Sequence, residues 1–376
     1  MVKSKILFVF GTRPEAIKMA PLIIEMKKQS SIFVTKVCVT AQHRQMLDQV
    51  LDFFDISPDY DLDLMKKNQS LSFLTSEIIN NLDLVLLEFL PDYIFVHGDT
   101  TTSFVSSLCA YYHNIKICHI EAGLRTFNKF SPFPEEINRT LTAKLADYHF
   151  APTLKAKKNL LKEGIDKEKI KVTGNTVIDA LNIALSKIYI NRIYKNYNIN
   201  KYLNNSENLI LVTGHRRENF GDGIKNLCLA LLEISELSNV SIIYPVHLNP
   251  NVYIPVKKLL KGKKNIHLIE PLNYPEFVYL MSKSKIIITD SGGIQEEAPS
   301  LGIPVLVTRN TTERPEGIEA GTVILVGTEK QKIVSFTTKL LKNKKFYEDM
   351  SLQKNPYGDG DAVKKILKHF INLVKS

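Results

Sequence analysis

Cysteine is scarce in this sequence, and its distribution argues against several kinds of site. Four cysteines stand among 376 residues, and no pair has the CxxC spacing of a metal or redox centre. All four lie in apolar runs, where structural thiols are common: Cys38, Cys109, Cys118 and Cys228. The pattern argues against a disulfide framework and a cysteine-held metal, and it favours a reducing, cytoplasmic location.

Long apolar runs are also lacking. No run approaches the roughly 20 residues needed to cross a bilayer, so membrane insertion is not expected. The first apolar run, residues 5–10, ends in Gly-Thr-Arg-Pro rather than in a small-residue cleavage site, which predicts a buried strand instead of a signal peptide. The composition, with 44% apolar and 23% charged residues, is that of a soluble globular protein, and the length predicts two domains.

Arginine is rare although the chain is basic. The net charge of +10 suits an acidic partner, yet nine of the 49 basic residues are arginines. Eight of these nine lie in segments punctuated by Gly and Pro, and the planar arginine fork binds phosphate and carboxylate. The lysine-rich stretches carry no interleaved aromatics, so we interpret them as solvated surface and expect no nucleic-acid partner.

Ten apolar runs of strand length alternate with helical periodicity along the chain. Such runs are typical of parallel sheets that helices cover on both faces, which predicts an α/β fold of two doubly wound domains. We place the domains at 1–172 and 209–360, with a boundary region at 173–208 and a final helix, about 361–376, that packs back on the first domain. Ligands of such sheets bind outside the carboxyl ends of the strands, so an active site is expected in the cleft between the domains.

Three loops of the first half carry candidate catalytic groups. Arg13, with Lys18 one turn later, follows the first strand at a helix start, which predicts an anion site or simply a capped helix. Asp99 follows another strand and can cap a helix or carry a proton. Glu121 lies just past a strand, and "SPFPEE" holds Glu135 and Glu136. The alternative for these acids is a salt-bridged loop, and one of the Glu135–Glu136 pair is expected to have a structural role.

Two loops of the second half indicate phosphate binding. His215, Arg216 and Arg217 lie between a strand and a helix. Ser291-Gly292-Gly293 follows a strand and leaves backbone N–H groups uncovered, as in a diphosphate cradle, and Glu296 or Glu297 could hold a ribose. No GxGxxG pattern follows a strand, so the sequence gives no case for bound NAD.

Together these stretches resemble the non-hydrolysing UDP-N-acetylglucosamine 2-epimerases of bacteria. The matches, in the family's order, cover most of residues 5–328 and include "GTRPEAIKMAPL", "HGDTTT", "IEAGLRT", "SPFPEEINR", "TGNTVIDAL", "TGHRREN", "TDSGGIQEEAPSLGIPV" and "TTERPEGIEAGT". The resemblance implies two Rossmann-like domains of the glycosyltransferase-B type. The related hydrolysing enzymes differ at the first loop, where this chain keeps "TRPEAIKM".

The resemblance also implies roles for individual residues. The catalytic set is Asp99, Glu121, Glu135 and His215. Substrate and UDP would be held by Arg13, Lys18, Arg216, His247, Phe277, Ser291, Gly292, Gly293, Glu297 and Arg314. A second, regulatory substrate molecule would contact Gln42, Gln45 and Gln69, and Arg216 and His247 match residues of that site too. Some members carry an arginine just before the Gln-Ser-Leu stretch of this site, and this chain has Asn68 there.

The implied reaction is reversible epimerisation at C2 by elimination of UDP and its readdition to 2-acetamidoglucal. It needs no cofactor and no metal, and members are commonly homodimers that supply precursors of surface polysaccharides. Three alternatives stay open at this point: a hydrolysing epimerase that releases N-acetylmannosamine, a glycosyltransferase of the same fold, and a nucleotide-sugar sensor without turnover.

Overall fold

The computed structural model describes residues 3–41, 44–64, 69–203 and 207–375, without the side chains of residues 44 and 45. The chain forms two compact units. Unit 1 is Met1–Ala180 together with Tyr357–Ser376, and unit 2 is Leu181–Pro356. The chain therefore passes between the units at Ala180 and again at Pro356, whereas the sequence analysis places a boundary region at 173–208 and the end of the second domain at 360.

Unit 1 is a seven-stranded parallel sheet with helices between its strands. Its elements are β1 Ser4–Phe10, α1 Arg13–Lys28, β2 Phe33–Val39, α2 Arg44–Phe53, β3 Tyr60–Asp61, α3 Leu71–Phe89, β4 Tyr93–His97, α4 Thr101–Tyr112, β5 Lys116–Ile120, α5 Glu135–Leu145, β6 Tyr148–Ala151, α6 Leu154–Lys162, β7 Ile170–Val172 and α7 Thr176–Ile190, the last continuing into unit 2.

Unit 2 is a six-stranded parallel sheet of the same kind. Its elements are α8 Asn200–Leu203, β8 Asn208–Thr213, α9 Asp222–Ser235, β9 Val240–Pro245, α10 Pro250–Leu260, β10 Ile266–Ile269, α11 Tyr274–Lys283, β11 Ile286–Thr289, α12 Gly292–Glu297, β12 Val305–Val307, α13 Pro315–Glu319, β13 Val323–Leu325, α14 Lys330–Lys342 and α15 Lys344–Ser351. The chain ends in α16, Ala362–Lys375, which belongs to unit 1.

The prediction of an α/β fold with two doubly wound domains is confirmed. All ten apolar runs form strands, and most of them are almost wholly buried between the helices that cover their sheet. The strands that sequence reasoning missed are β3, β7 and β13. Each has two or three residues and lies at the edge of its sheet, where a strand needs no long apolar run.

The strand order decides which loops become neighbours. In unit 1 the order is β3-β2-β1-β4-β5-β6-β7, and in unit 2 it is β10-β9-β8-β11-β12-β13. Each order reverses direction once, between β1 and β4 and between β8 and β11, and ligands of open α/β sheets bind at such switch points. Ligand-binding residues are therefore expected in the loops after β1 and β4 and in those after β8 and β11.

Helix α16 completes the core of unit 1. Its Phe370 is fully buried and contacts the rings of Phe33, Tyr93 and Phe95, with centroid distances of 5.5, 4.9 and 5.0 Å. The end of the chain thus packs on strands formed near its start. None of the helices within the described residues is long and apolar enough to span a bilayer.

Candidate active site

Glu15 joins the two loops at the switch point of unit 1. Its Oε2 accepts hydrogen bonds from the N–H groups of Gly11 (3.1 Å) and Thr12 (2.8 Å). Its Oε1 accepts hydrogen bonds from the hydroxyls of Thr100 (2.7 Å) and Ser103 (3.0 Å) in the other loop. Burial raises the pKa of Glu15, while the hydrogen bonds that it accepts act to lower it. One carboxylate therefore links the backbone just before Arg13 to the side chains just after Asp99.

Sequence reasoning missed Glu15, although a signal was present. Thr12-Arg-Pro-Glu15 has the spacing of a capping box, and the structure forms that box at the start of α1. The box explains the bonds to the first loop, but not the bonds to Thr100 and Ser103. Those arise because β4 lies beside β1 in the sheet.

Glu121 lies directly after β5, and cationic and amide groups hold its carboxylate. Its Oε2 accepts hydrogen bonds from Lys18 Nζ and from Asn175 Nδ2, the latter at 2.6 Å. The Nε2 atom of His97 lies 3.8 Å from the same oxygen. Burial lowers the pKa of His97 to about 4, so this imidazole is neutral at physiological pH. The ammonium group of Lys18 forms an ion pair with the Glu121 carboxylate.

Asn175 is a second residue that sequence reasoning missed. Its side chain donates to Glu121 and accepts a hydrogen bond from the N–H of Val177 at 3.1 Å. Its own N–H donates to the carbonyl of Tyr357 at 2.7 Å. Asn175 thus orients Glu121 from the segment between β7 and α7, which the chain reaches more than fifty residues later.

Asp99 follows β4 and is held by helix α5. Its carboxylate accepts a hydrogen bond from Arg139 Nη2, and its carbonyl accepts one from Asn138 Nδ2 at 3.0 Å. Arg139 also lies 3.2 Å from Glu136 Oε2 through its Nη1 atom. Arg139 is nearly buried, whereas the side chain of Asp99 is 29% exposed and so accessible to a ligand.

The two acids of "SPFPEE" have different surroundings. Glu136 is buried and accepts hydrogen bonds from the N–H groups of Thr126 (3.0 Å) and Phe127 (2.8 Å), which is a structural role. Glu135 Oε2 is buried and has no hydrogen-bond partner among the described residues. The guanidinium of Arg125 instead binds both oxygens of Glu163.

Asp290, at the end of β11, organises the loop after β8 in unit 2. Its Oδ2 accepts hydrogen bonds from the N–H groups of His215 (2.9 Å) and Arg216 (2.8 Å) and from Asn219 Nδ2 (3.2 Å). The ring of His215 stacks on that of His247, with centroids 5.3 Å apart and an interplanar angle of 14°. The His-Arg-Arg loop is therefore held by a buried carboxylate that sequence reasoning did not single out.

Arg314 lies over the start of helix α12. Its Nε donates to Glu296 Oε1 at 2.6 Å, and its Nη1 donates to Glu313 Oε1 at 2.5 Å. A Cβ atom on Gly292 would lie 2.3 Å from Arg314 Nη1, so any larger residue here would displace this guanidinium. Burial acts to raise the pKa of Glu313, but Arg314 and Arg309 outweigh it and lower that pKa to about 2.

The remaining predicted residues divide between the units. Unit 1 holds Arg13 at the first position of α1, and Gln69 just before α3. Unit 2 holds Phe277 on α11, Ser291 before α12, and Gly293 and Glu297 within α12. Glu297 Oε1 accepts a hydrogen bond from the hydroxyl of Tyr274 at 3.2 Å. Gln42, the Gln45 side chain and Asn68 lie outside the described residues.

The structure thus assembles two groups of candidate residues, one at each switch point. The group of unit 1 is rich in carboxylates beside cations, and that of unit 2 combines arginines with a Gly-Gly helix start. Over the ranges that the structure describes, no three His, Cys, Asp or Glu side chains are arranged to hold a metal ion. These groups suit proton transfer and the binding of a phosphorylated ligand.

Comparison with known proteins gives a consistent assignment. A family model described as UDP-N-acetylglucosamine 2-epimerase matches residues 25–371. A protein of that name from Neisseria meningitidis serogroup A is 56% identical over 366 residues, which is 97% of this chain and 98% of that protein. Another from Campylobacter jejuni is 56% identical over an alignment of 378 residues that covers 99% of this chain and 98% of that one.

Solved structures are similar over nearly the whole chain. UDP-GlcNAc 2-epimerase from Neisseria meningitidis, bound to UDP-GlcNAc, has a TM-score of 0.90 at 55% identity and covers 98% of this chain and 100% of that one. The enzyme from Methanocaldococcus jannaschii, in complex with UDP-GlcNAc and UDP, has a TM-score of 0.81 at 35% identity, with 98% and 99% covered. A glycosyltransferase from Rickettsia africae, at 16% identity, a TM-score of 0.64 and full coverage of both chains, shares the fold alone. The two Rossmann-like units are of the glycosyltransferase-B type, and the chain belongs to the UDP-N-acetylglucosamine 2-epimerase family.

Proposed function

We propose that this protein interconverts UDP-N-acetylglucosamine and UDP-N-acetylmannosamine without net hydrolysis. The observation that carries the proposal is the pair of carboxylates that follow β4 and β5 of unit 1, each held by a cation: Asp99 by Arg139, and Glu121 by Lys18. Membership of the family and the UDP-GlcNAc bound in its relatives support the choice of substrate.

The chemistry explains why several carboxylates are needed. The proton on C2 of the sugar has no adjacent carbonyl, so its direct removal is too difficult. Breaking the C1–O bond first gives cationic character to C1 and makes the C2 proton removable. The electron pair of the C2–H bond then forms the C1–C2 double bond of 2-acetamidoglucal, UDP leaves with the electrons of the C1–O bond, and a carboxylate takes the proton.

The reverse sequence completes the inversion. A proton returns to C2 on the opposite face, and an oxygen of UDP bonds to C1 again. In this scheme Asp99 and Glu121 carry protons and stabilise the positive charge at C1, with Glu135 as the third carboxylate. No step uses an oxidant, a reductant or a metal ion, so we propose that the reaction needs no cofactor.

Unit 2 would hold the leaving group. We assign the diphosphate to Arg314, Ser291, Gly292 and Gly293, and the uridine side to Glu297 and Phe277. Arg13 and His215 would add positive charge and hydrogen bonds as the C1–O bond breaks. Support for this assignment comes from the closeness of Arg314 to Gly292. The guanidinium and the backbone N–H groups at the start of α12 could then donate to one anion together.

Three further proposals rest on the resemblance. Gln42, Gln45 and Gln69, together with Arg216 and His247, would bind a second, regulatory substrate molecule. The protein would act in the cytoplasm as a homodimer. Its product would supply a surface polysaccharide. The expected site in a cleft between the two domains stays a prediction.

One incubation tests the proposal. The protein is given UDP-N-acetylglucosamine alone in D2O, and NMR follows the products. We expect UDP-N-acetylmannosamine with deuterium at C2, because the returned proton comes from solvent. Free N-acetylmannosamine formed in step with UDP would identify a hydrolysing enzyme instead. Product that keeps its original hydrogen at C2 would exclude elimination, and tight binding without turnover would indicate a sensor.

A further inference from the structure

One carboxylate oxygen in unit 2 is buried beside an imidazole and lacks a partner. Asp290 is fully buried, and its Oδ2 receives all three hydrogen bonds from the loop after β8. Its Oδ1 is buried too, and it has no hydrogen-bond partner among the described residues. The Nδ1 atom of His215 lies 3.6 Å from this oxygen.

The geometry indicates how Oδ1 can be satisfied. A buried carboxylate oxygen without a donor is costly, so a nearby N–H that can reach it is strongly favoured. Three donors on Oδ2 fix the Asp290 side chain, whereas the side chain of His215 is 43% exposed and has room to turn. A small shift of the imidazole toward Oδ1 would bring Nδ1 within hydrogen-bond distance. The ring of His247 stacks on one face of this imidazole.

We propose that Asp290 is a positioning residue for His215: its Oδ1 accepts a hydrogen bond from Nδ1–H, which sets the tautomer and leaves Nε2 free to accept a proton. The three bonds to Oδ2 hold the same loop at its backbone, so one carboxylate fixes both the path of the loop and the protonation pattern of its imidazole. This role resembles that of an orienting group in other imidazole sites, where the hydrogen bond at one nitrogen decides the state of the other.

The groups around His215 also affect the pKa of its imidazole. Burial lowers the pKa of His215, Asp290 acts to raise it, and Arg216 and His247 lower it further. Of these groups, Asp290 therefore favours the imidazolium form. If the proposed function holds, a diphosphate bound beside Nε2 draws a proton from solvent onto that nitrogen. His215 then presents a charged N–H to the leaving group as the C1–O bond breaks.

The tautomer of His215 in the free protein tests the proposal directly. Protein labelled with 15N in histidine is compared with H215N, which identifies the His215 signals in two-bond 1H–15N spectra. We expect the wild-type ring to carry its proton on Nδ1. A wild-type ring protonated on Nε2 overturns the proposal, and this outcome is decisive even if no variant of Asp290 folds.

D290N gives the matched test. The amide oxygen of Asn can still accept the three bonds of the loop, but its NH2 group now faces Nδ1 and must donate to it. The His215 tautomer should therefore reverse, with the proton on Nε2. N219A is the control, since it removes one donor to Oδ2 and loosens the loop without changing the group that faces the ring. The proposal is wrong if D290N keeps the wild-type tautomer, or if N219A reverses it.

The binding of UDP tests the consequence separately. Calorimetry in buffers of different ionisation enthalpy counts the protons taken up on binding near neutral pH. We expect uptake by wild type, less uptake by D290N, and affinity reduced about tenfold in D290N, the effect of one pKa unit at a site that must be charged. Equal uptake by the two proteins would overturn the role in binding. If wild type binds no UDP, the proposed function fails. The tautomer measurement on the free protein then still tests whether Asp290 bonds to His215.

Discussion

At the scale of single residues, the carboxylates at the switch point of unit 1 have separate tasks. Glu15 and Glu136 each accept several N–H or hydroxyl groups and fix loops. Asp99 and Glu121 each face a cation and lie beside the loops that Glu15 holds. The bonds of Glu15 and Glu136 are those of structural residues. Asp99 and Glu121 have the surroundings that proton carriers need.

Removing one of the two proposed proton carriers should slow epimerisation strongly without unfolding the protein. In D99N or E121Q, epimerisation should fall by roughly 10²–10⁴-fold, the scale of a positioned acid or base, while the protein still folds and binds UDP. E163Q is the matched control, because it also weakens a carboxylate–arginine pair, with Arg125, away from the switch point. Rates equal to wild type in both D99N and E121Q would show that these carboxylates are structural.

Glu15 should matter for geometry and stability together. E15A leaves the N–H groups of Gly11 and Thr12 without their acceptor, which should cost about 2–3 kcal/mol in the free energy of unfolding and lower kcat by about 10²-fold. E15Q should be much milder, since its oxygen can face those N–H groups while its NH2 donates to Thr100. Urea unfolding and initial rates check both variants. An E15A protein as stable and active as wild type would contradict the scaffold role.

At the scale of elements, two adjacent glycines at the start of helix α12 have different surroundings. A Cβ on Gly292 would collide with Arg314, whereas a Cβ on Gly293 would have Glu297 Oε2 as its nearest neighbour at 3.8 Å, an ordinary contact. The two positions therefore carry different constraints, one from the folded protein and one from the ligand that we propose there.

Alanine at each position gives a paired prediction. G293A should keep the stability of wild type and bind UDP at least about tenfold more weakly, because the methyl group crowds the approach of phosphate to the backbone. G292A should displace Arg314 and lower both stability and UDP affinity. Calorimetric titration with UDP and thermal unfolding measure the two effects. Wild-type UDP affinity in G293A would refute the diphosphate assignment.

At the scale of the whole molecule, the chain leaves unit 1 at Ala180 and returns to it at Tyr357. Unit 1 is then completed by α16, whose Phe370 fills the space between Phe33, Tyr93 and Phe95. The stability of unit 1 therefore depends on residues at the far end of the sequence.

A cavity at Phe370 should measure that dependence. F370A is expected to lower the free energy of unfolding by about 3–5 kcal/mol, the cost of removing a large buried side chain. L154A, at a side chain of unit 1 that is 69% exposed, is the control and should change stability by less than about 0.5 kcal/mol. Chemical denaturation followed by circular dichroism distinguishes them. Equal stability of the two variants would show that α16 adds little to the core.

The sequence by itself determined the alternation of strands and helices and the loops in which chemistry would lie. Both depend on local patterns: apolar runs such as residues 5–10 need burial wherever they are placed, and Gly-Gly or Pro-rich segments restrict the backbone within a few residues. Motifs shared with a known family then identified candidate residues within those loops, such as Asp99 and Glu121. The edge strand β7 escaped notice because three residues carry little pattern.

Only the tertiary structure decided which loops meet and which polar groups serve the others. Glu15 bonds to Thr100, Asn175 to Glu121, and Asp290 to His215, across 85, 54 and 75 positions of the chain. The first and the third bond follow from the strand order, which places β4 beside β1 and β11 beside β8, and the second joins the segments after β5 and β7 of the same sheet. Local periodicity does not encode that order, because it results from the packing of whole helices and strands, and so these partners became visible only in the folded chain.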